Sequence, residues 1–128
     1  MITGADVLLF SKNPEADRAF LRDVLGFQAV DAGEGWLIFK LPPAEAALHP
    51  SGDDPSQVHS GNSLLRAVLY LMCDDLHSFV SSLKAKNVKC TEITQEPWGI
   101  KTTIRLPSGG EIGLYQPAHP AAINIDSL

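Results

Sequence analysis

The second half of this chain repeats the first. Phe39-Lys40-Leu41-Pro42-Pro43-Ala44-Glu45-Ala46-Ala47-Leu48-His49-Pro50 corresponds to the segment running from Ile104-Arg105-Leu106-Pro107 through Glu111-Ile112-Gly113-Leu114-Tyr115-Gln116-Pro117, with one residue inserted in the second turn. Apolar residues match apolar ones, Lys40 matches Arg105, the Leu-Pro pairs coincide and Glu45 matches Glu111. Phe39 to Ile104 is 65 positions and Glu45 to Glu111 is 66, half of a 128-residue chain. A repeat of this length dictates architecture, because each copy exposes a face that its twin or another chain must cover.

Upstream of these segments both halves carry the same order of elements. Residues 5–11 and 66–73 are strand-like apolar runs, each leading into a helix signal. In the first half Asn13 is placed to cap, Pro14 suits the first helical position, Glu15 and Asp17 complement the helix dipole, and Gly26 closes the helix. In the second, Asp74 or Asp75 can cap, and Leu76, Phe79, Val80 and Leu83 form an apolar stripe. Lys84 and Lys86 favour its last turn, and Asn87 can take a left-handed cap. Three short strands are expected after each helix, at about 27–31, 35–40 and 45–49, then 88–93, 100–106 and 110–116. The fold class is therefore α+β, a single domain over residues 1–128 built of two tandem βαβββ modules. Module one spans about 3–50 and module two about 64–117. A Ser/Gly/Asp/Pro-rich stretch over 51–63 reads as a linker or mobile loop, and the tail 118–128 lacks pattern.

Composition narrows the function classes. Ten basic against 15 acidic residues give a formal charge of −5, which lacks the positive field that nucleic acid or an anionic membrane requires. The longest apolar runs fall far short of the roughly 20 residues of a spanning helix. The N-terminus has no signal-peptide pattern, so a cytoplasmic location is expected. In that compartment Cys73 and Cys90, lacking CxxC or CxxH spacing, are expected to stay thiols.

The words Ala19-Phe20-Leu21-Arg22-Asp23-Val24-Leu25-Gly26-Phe27 and Leu106-Pro107 through Glu111-Ile112-Gly113-Leu114-Tyr115-Gln116-Pro117 resemble the vicinal oxygen chelate superfamily, which includes glyoxalase I, bleomycin-resistance proteins and extradiol dioxygenases. The resemblance runs from about residue 3 to 117. It implies that the modules pair into a curved mixed sheet whose concave cup holds the site, often in a homodimer. Metal-dependent members hold a divalent ion on His and Glu side chains of the first and last strand of each module. Carried over, those positions fall on Asp6, on Val68 or Ala67, on Ala47 and on Gly113. Only Asp6 can coordinate, and a lone carboxylate does not hold a catalytic ion. No cofactor is therefore expected, and a metal is expected only through an atypical site recruiting His49 and a partner-chain residue.

Strand alternation indicates which side chains line the cup. If Ile112 and Leu114 pack on the helices, then Glu45, Ala47 and His49, with Glu111, Gly113 and Tyr115, face the other way. Asp6, Leu8 and Phe10 share a face, as do Val68, Tyr70 and Met72, and as do Trp36, Ile38 and Lys40 with Lys101, Thr103 and Arg105. Tyr115 is the best proton donor in this set and Asp6 the best general base. Phe10, Trp36, Lys40, His49, Tyr70, Met72, Trp98, Arg105 and Glu111 are the candidate ligand contacts. Blander roles compete. Lys40, Glu45, Arg105 and Glu111 flank turns, where opposite charges more often pair across strands than catalyse. His119 lies in the tail with no ligand-like partner. Trp98, between Pro97 and Gly99, suits either a lid or a turn plug. The expected function is capture of a partly aromatic small molecule. The alternative is a glyoxalase-like lyase or isomerase, or a dioxygenase, using the atypical metal or Asp6 and Tyr115 alone.

Overall fold

A computed structural model describes residues 1–125. The elements run α1 (Pro14–Asp23), β1 (Ala29–Asp31), β2 (Leu37–Phe39), β3 (Ser56–His59), β4 (Asn62–Leu65), β5 (Tyr70–Met72), α2 (Leu76–Ala85), β6 (Thr94–Glu96), β7 (Gly99–Arg105), β8 (Glu111–Pro117) and a short 3-10 turn, Ala122–Asn124. The chain is α+β. It divides into two compact units, Met1–Lys40 with Arg105–Glu111, and Leu41–Ile104 with Ile112 onward.

In the first unit the expected capping of α1 is present. Asn13 Oδ1 accepts from the Ala16 N–H at 3.3 Å, Pro14 opens the helix, and Glu15 and Asp17 lie in its first turn. Asp17 also ties down the loop before β8: its carboxylate accepts from Ser11 Oγ at 2.6 Å and from the Ser108 N–H at 3.0 Å. Burial pushes this carboxyl upward, but the Ser11 and Ser108 hydrogen bonds outweigh it and leave the pKa below the ordinary value. Phe20 is the buried residue of α1, and Leu106 is also buried in this unit. Strands β1 and β2 form an antiparallel hairpin with Val30 opposite Ile38, both exposed.

The second unit carries the βαβββ order of the repeat. Its sheet runs β5-β8-β7-β6, with β5 parallel to β8 and β6 antiparallel to β7, a mixed sheet. Asp75, the second of the two candidates, caps α2 through its carboxylate and the Ser78 N–H. Asn87 takes the left-handed conformation at φ 62°. Leu76, Val80 and Leu83 of the α2 stripe are buried, as are Val88, Ile104, Ile112 and Leu114. The parity assigned to β7 and β8 holds at these core positions. A side-chain amide joins helix to strand, Gln116 Oε1 accepting from the Leu76 N–H at 3.0 Å.

Several expected strands are absent or displaced. Residues 5–11 form no strand and residues 1–10 are all exposed. A strand exists only through a neighbour's backbone hydrogen bonds, and among the described residues none is paired with this run. Residues 45–49 are likewise not a strand; Ala44, Ala46 and Ala47 have low strand propensity and prolines bound the segment. In place of the expected linker lies the hairpin of β3 and β4, closed by Ser60-Gly61 with φ of 50° and 78°. Two consecutive positive φ angles make a primed two-residue turn, whose twist matches the flanking strands. The strand expected at 88–93 contributes one bridge, Cys90 to Ile104, before β6 begins.

Candidate functional site

Two of the expected ligand contacts, Tyr70 and Trp98, come together with Tyr115, the expected proton donor, in the second unit. Tyr70 leads β5, Tyr115 lies in β8 and Trp98 precedes β7. Their ring centroids are 5.9 Å (Tyr70–Trp98), 5.7 Å (Tyr70–Tyr115) and 5.2 Å (Trp98–Tyr115) apart, with interplanar angles of 78°, 88° and 78°. Edge-to-face contacts of this kind add about 0.5–1.5 kcal/mol each beyond burial. The trio is nonetheless open to solvent, Tyr70 being 38% and Trp98 36% exposed.

Backbone register explains the convergence. Tyr70 lies opposite Gly113 in the parallel β5–β8 ladder, and a side chain on Gly113 would fall on the Tyr70 ring. Glycine at 113 is what lets the ring lie across β8. Met72, opposite Tyr115, is half-buried on the next rung but one.

Tyr115 has a partner that residue spacing did not reveal. Its hydroxyl is 3.3 Å from His119 Nε2, with the rings stacked at 6.1 Å and 29°. His119 Nδ1 is 2.8 Å from the Pro120 carbonyl oxygen, which can only accept. Nδ1 therefore donates to that oxygen, and in the neutral ring Nε2 accepts from the Tyr115 hydroxyl. Burial raises the Tyr115 pKa above its ordinary value, and the charge of Glu45 raises it further. Glu45 Oε1 is buried with no hydrogen-bond partner among the described residues. The signal for His119 was faint: a histidine four residues after Tyr115, beyond a proline, in a segment without periodicity.

The remaining candidates lie elsewhere. Asp6 and Phe10 are in the exposed N-terminal stretch of the first unit, so Asp6 and Tyr115 belong to different units. Trp36 is covered by the Arg18 guanidinium, 4.6 Å from its ring centroid. Lys40 is exposed beyond β2, its N–H donating to the Gln28 carbonyl at 2.9 Å. A shallow apolar groove along this hairpin is lined by Phe27, Val30, Leu37 and Ile38 among others. His49 is exposed, with Nδ1 2.7 Å from the Pro50 carbonyl oxygen. Arg105 and Glu111 face each other across the β7–β8 turn at 3.9 Å, both exposed, an ion pair of small energetic weight. Cys73 and Cys90 are free thiols whose pKa values burial raises.

The donor set does not fit the divalent metal that the resemblance implies. Val68, Ala67, Ala47 and Gly113 offer no side-chain ligand, and the Tyr70 ring crosses the Gly113 position. Among the described residues no three His, Cys, Asp or Glu side chains are grouped to hold an ion. No helix among the described residues is long and apolar enough to cross a membrane.

Comparison with known proteins agrees with the fold. Residues 5–114 match the family model of the Glyoxalase/Bleomycin resistance protein/Dioxygenase superfamily. Among solved structures, the antibiotic binding protein TnmS3 from Streptomyces sp. CB03234 is similar at 23% identity and TM-score 0.58, covering 92% of this chain and 100% of its own. Lactoylglutathione lyase from Agrobacterium tumefaciens is similar at 17% identity and TM-score 0.60, covering 89% and 92%. An integron cassette protein from the mobile metagenome of V. Cholerae is similar at 22% identity and TM-score 0.53, covering 91% and 96%. No curated protein sequence matches. The chain belongs to the Glyoxalase/Bleomycin resistance protein/Dioxygenase superfamily.

Proposed function

We propose that this protein is a small-molecule-binding member of its superfamily that captures a partly aromatic ligand against Tyr70, Trp98 and Tyr115 without a resident divalent metal. The observation that carries this is the solvent-open trio of mutually perpendicular rings, of which Tyr70 lies over Gly113, a position that the resemblance assigns to a metal donor. Large aromatic surfaces with a few polar groups are the usual lining of a small-molecule site. TnmS3, an antibiotic binding protein, has the same fold and supports the reading. A thermal-shift screen of polycyclic aromatic compounds tests it. Hits should raise the melting temperature of the wild type and lose their effect in Trp98→Ala. A screen without hits, or hits indifferent to Trp98→Ala, overturns it.

The protein is further proposed to act in the cytoplasm as a homodimer. Val7, Leu8, Leu9 and Phe10 of the strandless N-terminus are 43–67% exposed, and Val30 and Ile38 add to the apolar surface. Covering such surface is the usual driving force for self-association. Light scattering at micromolar concentration should give twice 13.8 kDa; a monomer there refutes it.

A metal-free enzyme is the second reading, favoured by the Tyr115–His119 hydrogen bond, which pairs a proton donor with a base. If it holds, turnover of a small carbonyl or hydroxy substrate should fall at least 100-fold in Tyr115→Phe and in His119→Ala alike. Loss in neither removes it. Metal content of protein purified without chelator should be below about 0.1 equivalent per chain, because a real site fills stoichiometrically.

A further inference from the structure

We propose that the aromatic ligand of the Tyr70–Trp98–Tyr115 cluster carries a hydrogen-bond donor, a phenolic hydroxyl or an N–H, which it places on the Tyr115 oxygen, and that His119 is the positioning residue that makes this oxygen an acceptor. The proposal rests on the small-molecule reading above and names the polar feature by which the site selects among aromatic ligands.

Hydrogen-bond accounting around one hydroxyl leads to this assignment. The Pro120 carbonyl oxygen can only accept, so His119 Nδ1, 2.8 Å away, donates to it. A neutral imidazole has a single N–H, and with that proton spent Nε2 is left as an acceptor. The Tyr115 hydroxyl, 3.3 Å from Nε2, has one proton and gives it to this nitrogen. What the hydroxyl still offers is its own lone pairs. Among the described residues no N–H or O–H donates to the Tyr115 oxygen. A ligand that brings a donor gains a hydrogen bond there. A ligand whose polar atom can only accept, an ether or a ketone, meets oxygen against oxygen and gains none from Tyr115.

The segment carrying His119 is tied to the cluster at more than this hydrogen bond. The Ala118 N–H donates to the Trp98 carbonyl at 2.9 Å, so the tail is fastened to the residue that supplies the third ring. The His119 ring stacks with Tyr115 at 6.1 Å and 29°, while Tyr70 and Trp98 meet the same phenol edge to face. The direction of the hydroxyl proton is therefore fixed by packing before a ligand arrives. Tyr115 and His119 are half-buried beside the exposed Tyr70 and Trp98 rings, and a ligand laid on those rings comes within reach of the Tyr115 oxygen.

2-Naphthol and 2-methoxynaphthalene share a ring system, but the first can donate a hydrogen bond and the second can only accept one. Binding is read from the Trp98 resonance in fluorine NMR of 5-fluorotryptophan-labelled protein, at about pH 8, where an imidazole is ordinarily neutral. 2-Naphthol should bind about fivefold more tightly, the scale of one neutral hydrogen bond. Tyr115→Phe should bring that ratio below about twofold by weakening 2-naphthol alone. In His119→Ala the Tyr115 proton is free to turn to the ligand, so 2-methoxynaphthalene should gain affinity, a result that loss of structural support does not produce. His119→Gln, whose amide oxygen can accept from Tyr115, should restore the wild-type ratio. Equal binding of the two probes, a ratio lost in Tyr70→Phe rather than in Tyr115→Phe, a methoxy probe that weakens in His119→Ala, or no restoration by His119→Gln overturns the proposal. If His119→Ala does not fold, the ratio in the wild type and in Tyr115→Phe still decides. Should both probes move Trp98 with equal affinity, the donor assignment fails and the small-molecule reading stands. If neither moves Trp98, the donor assignment fails, and the small-molecule reading fails with it when the thermal-shift screen is also without hits.

Discussion

Substituting Gly113 by Ala examines the one backbone position that lets the aromatic trio form. Gly113 is buried in the middle of β8, and a Cβ built there falls on the ring of Tyr70. The new methyl group and the ring cannot both keep their places. If the ring yields, Tyr70 loses its contacts with Trp98 and Tyr115, about 0.5–1.5 kcal/mol each. If the backbone yields, overpacking costs about 1–3 kcal/mol. Against this, replacing glycine in a strand restricts the unfolded chain and returns about 0.4–1 kcal/mol. The net expectation is a loss of about 1–2 kcal/mol, measurable as a lower urea midpoint at unchanged slope. The near-UV circular dichroism of the aromatic cluster should weaken as well. A double-mutant cycle sharpens the test. In a Tyr70→Ala background the ring that the methyl would strike is gone, and Gly113→Ala should be neutral or mildly stabilising, a coupling of at least about 1 kcal/mol. A Gly113→Ala variant as stable as the wild type in both backgrounds, with its near-UV spectrum intact, would refute the packing described for this site.

Other expectations follow from single contacts. Asn13→Ala removes the cap on the Ala16 N–H and should cost about 1 kcal/mol in a urea titration. Asp17, whose folded pKa lies below its ordinary value, contributes stability that is present above about pH 4 and is lost as pH falls through the folded value. Asp17→Asn should therefore lower stability at pH 7 and flatten its decline in acid, and an unchanged acid profile would count against the Ser11 and Ser108 hydrogen bonds. Tyr115, raised by burial and then by Glu45, should ionise above about pH 10 in absorbance at 295 nm. The stability tied to its protonated form is held below that pH and lost as pH rises through the folded pKa. Glu45→Gln should bring the titration down, and no movement would mean that Glu45 does not act on Tyr115.

The helices were legible residue by residue because their signals are local. Asn13, Pro14, Asp75 and Asn87 satisfy or end a helix by contacts within one turn. The second module was legible as a whole, since its alternation places Ile104, Ile112 and Leu114 in the core. Strands were misread where their existence depends on distant partners. The run at 5–11 has strand composition but no paired neighbour, and 56–65 has loop composition yet closes on itself through Ser60-Gly61. At the site, parity brought Tyr70 and Tyr115 to one face, and Pro97-Trp98-Gly99 marked the third ring. His119 escaped because a side chain recruited from an irregular tail has no period to betray it. The buried state of Glu45 Oε1 escaped for a related reason: burial of one atom is a tertiary fact, and the segment carrying it forms no strand.

The protein has two tryptophans, Trp36 and Trp98, in separate units, so fluorine NMR of 5-fluorotryptophan-labelled protein can report on each alone. Titration with aromatic ligands found by the thermal-shift screen should move the Trp98 resonance saturably and leave Trp36, beneath Arg18, in place. Adding EDTA throughout should change nothing. A Trp98 resonance that stays fixed while ligands bind, or binding abolished by EDTA and restored by a divalent ion, would contradict a metal-free aromatic site at Tyr70, Trp98 and Tyr115.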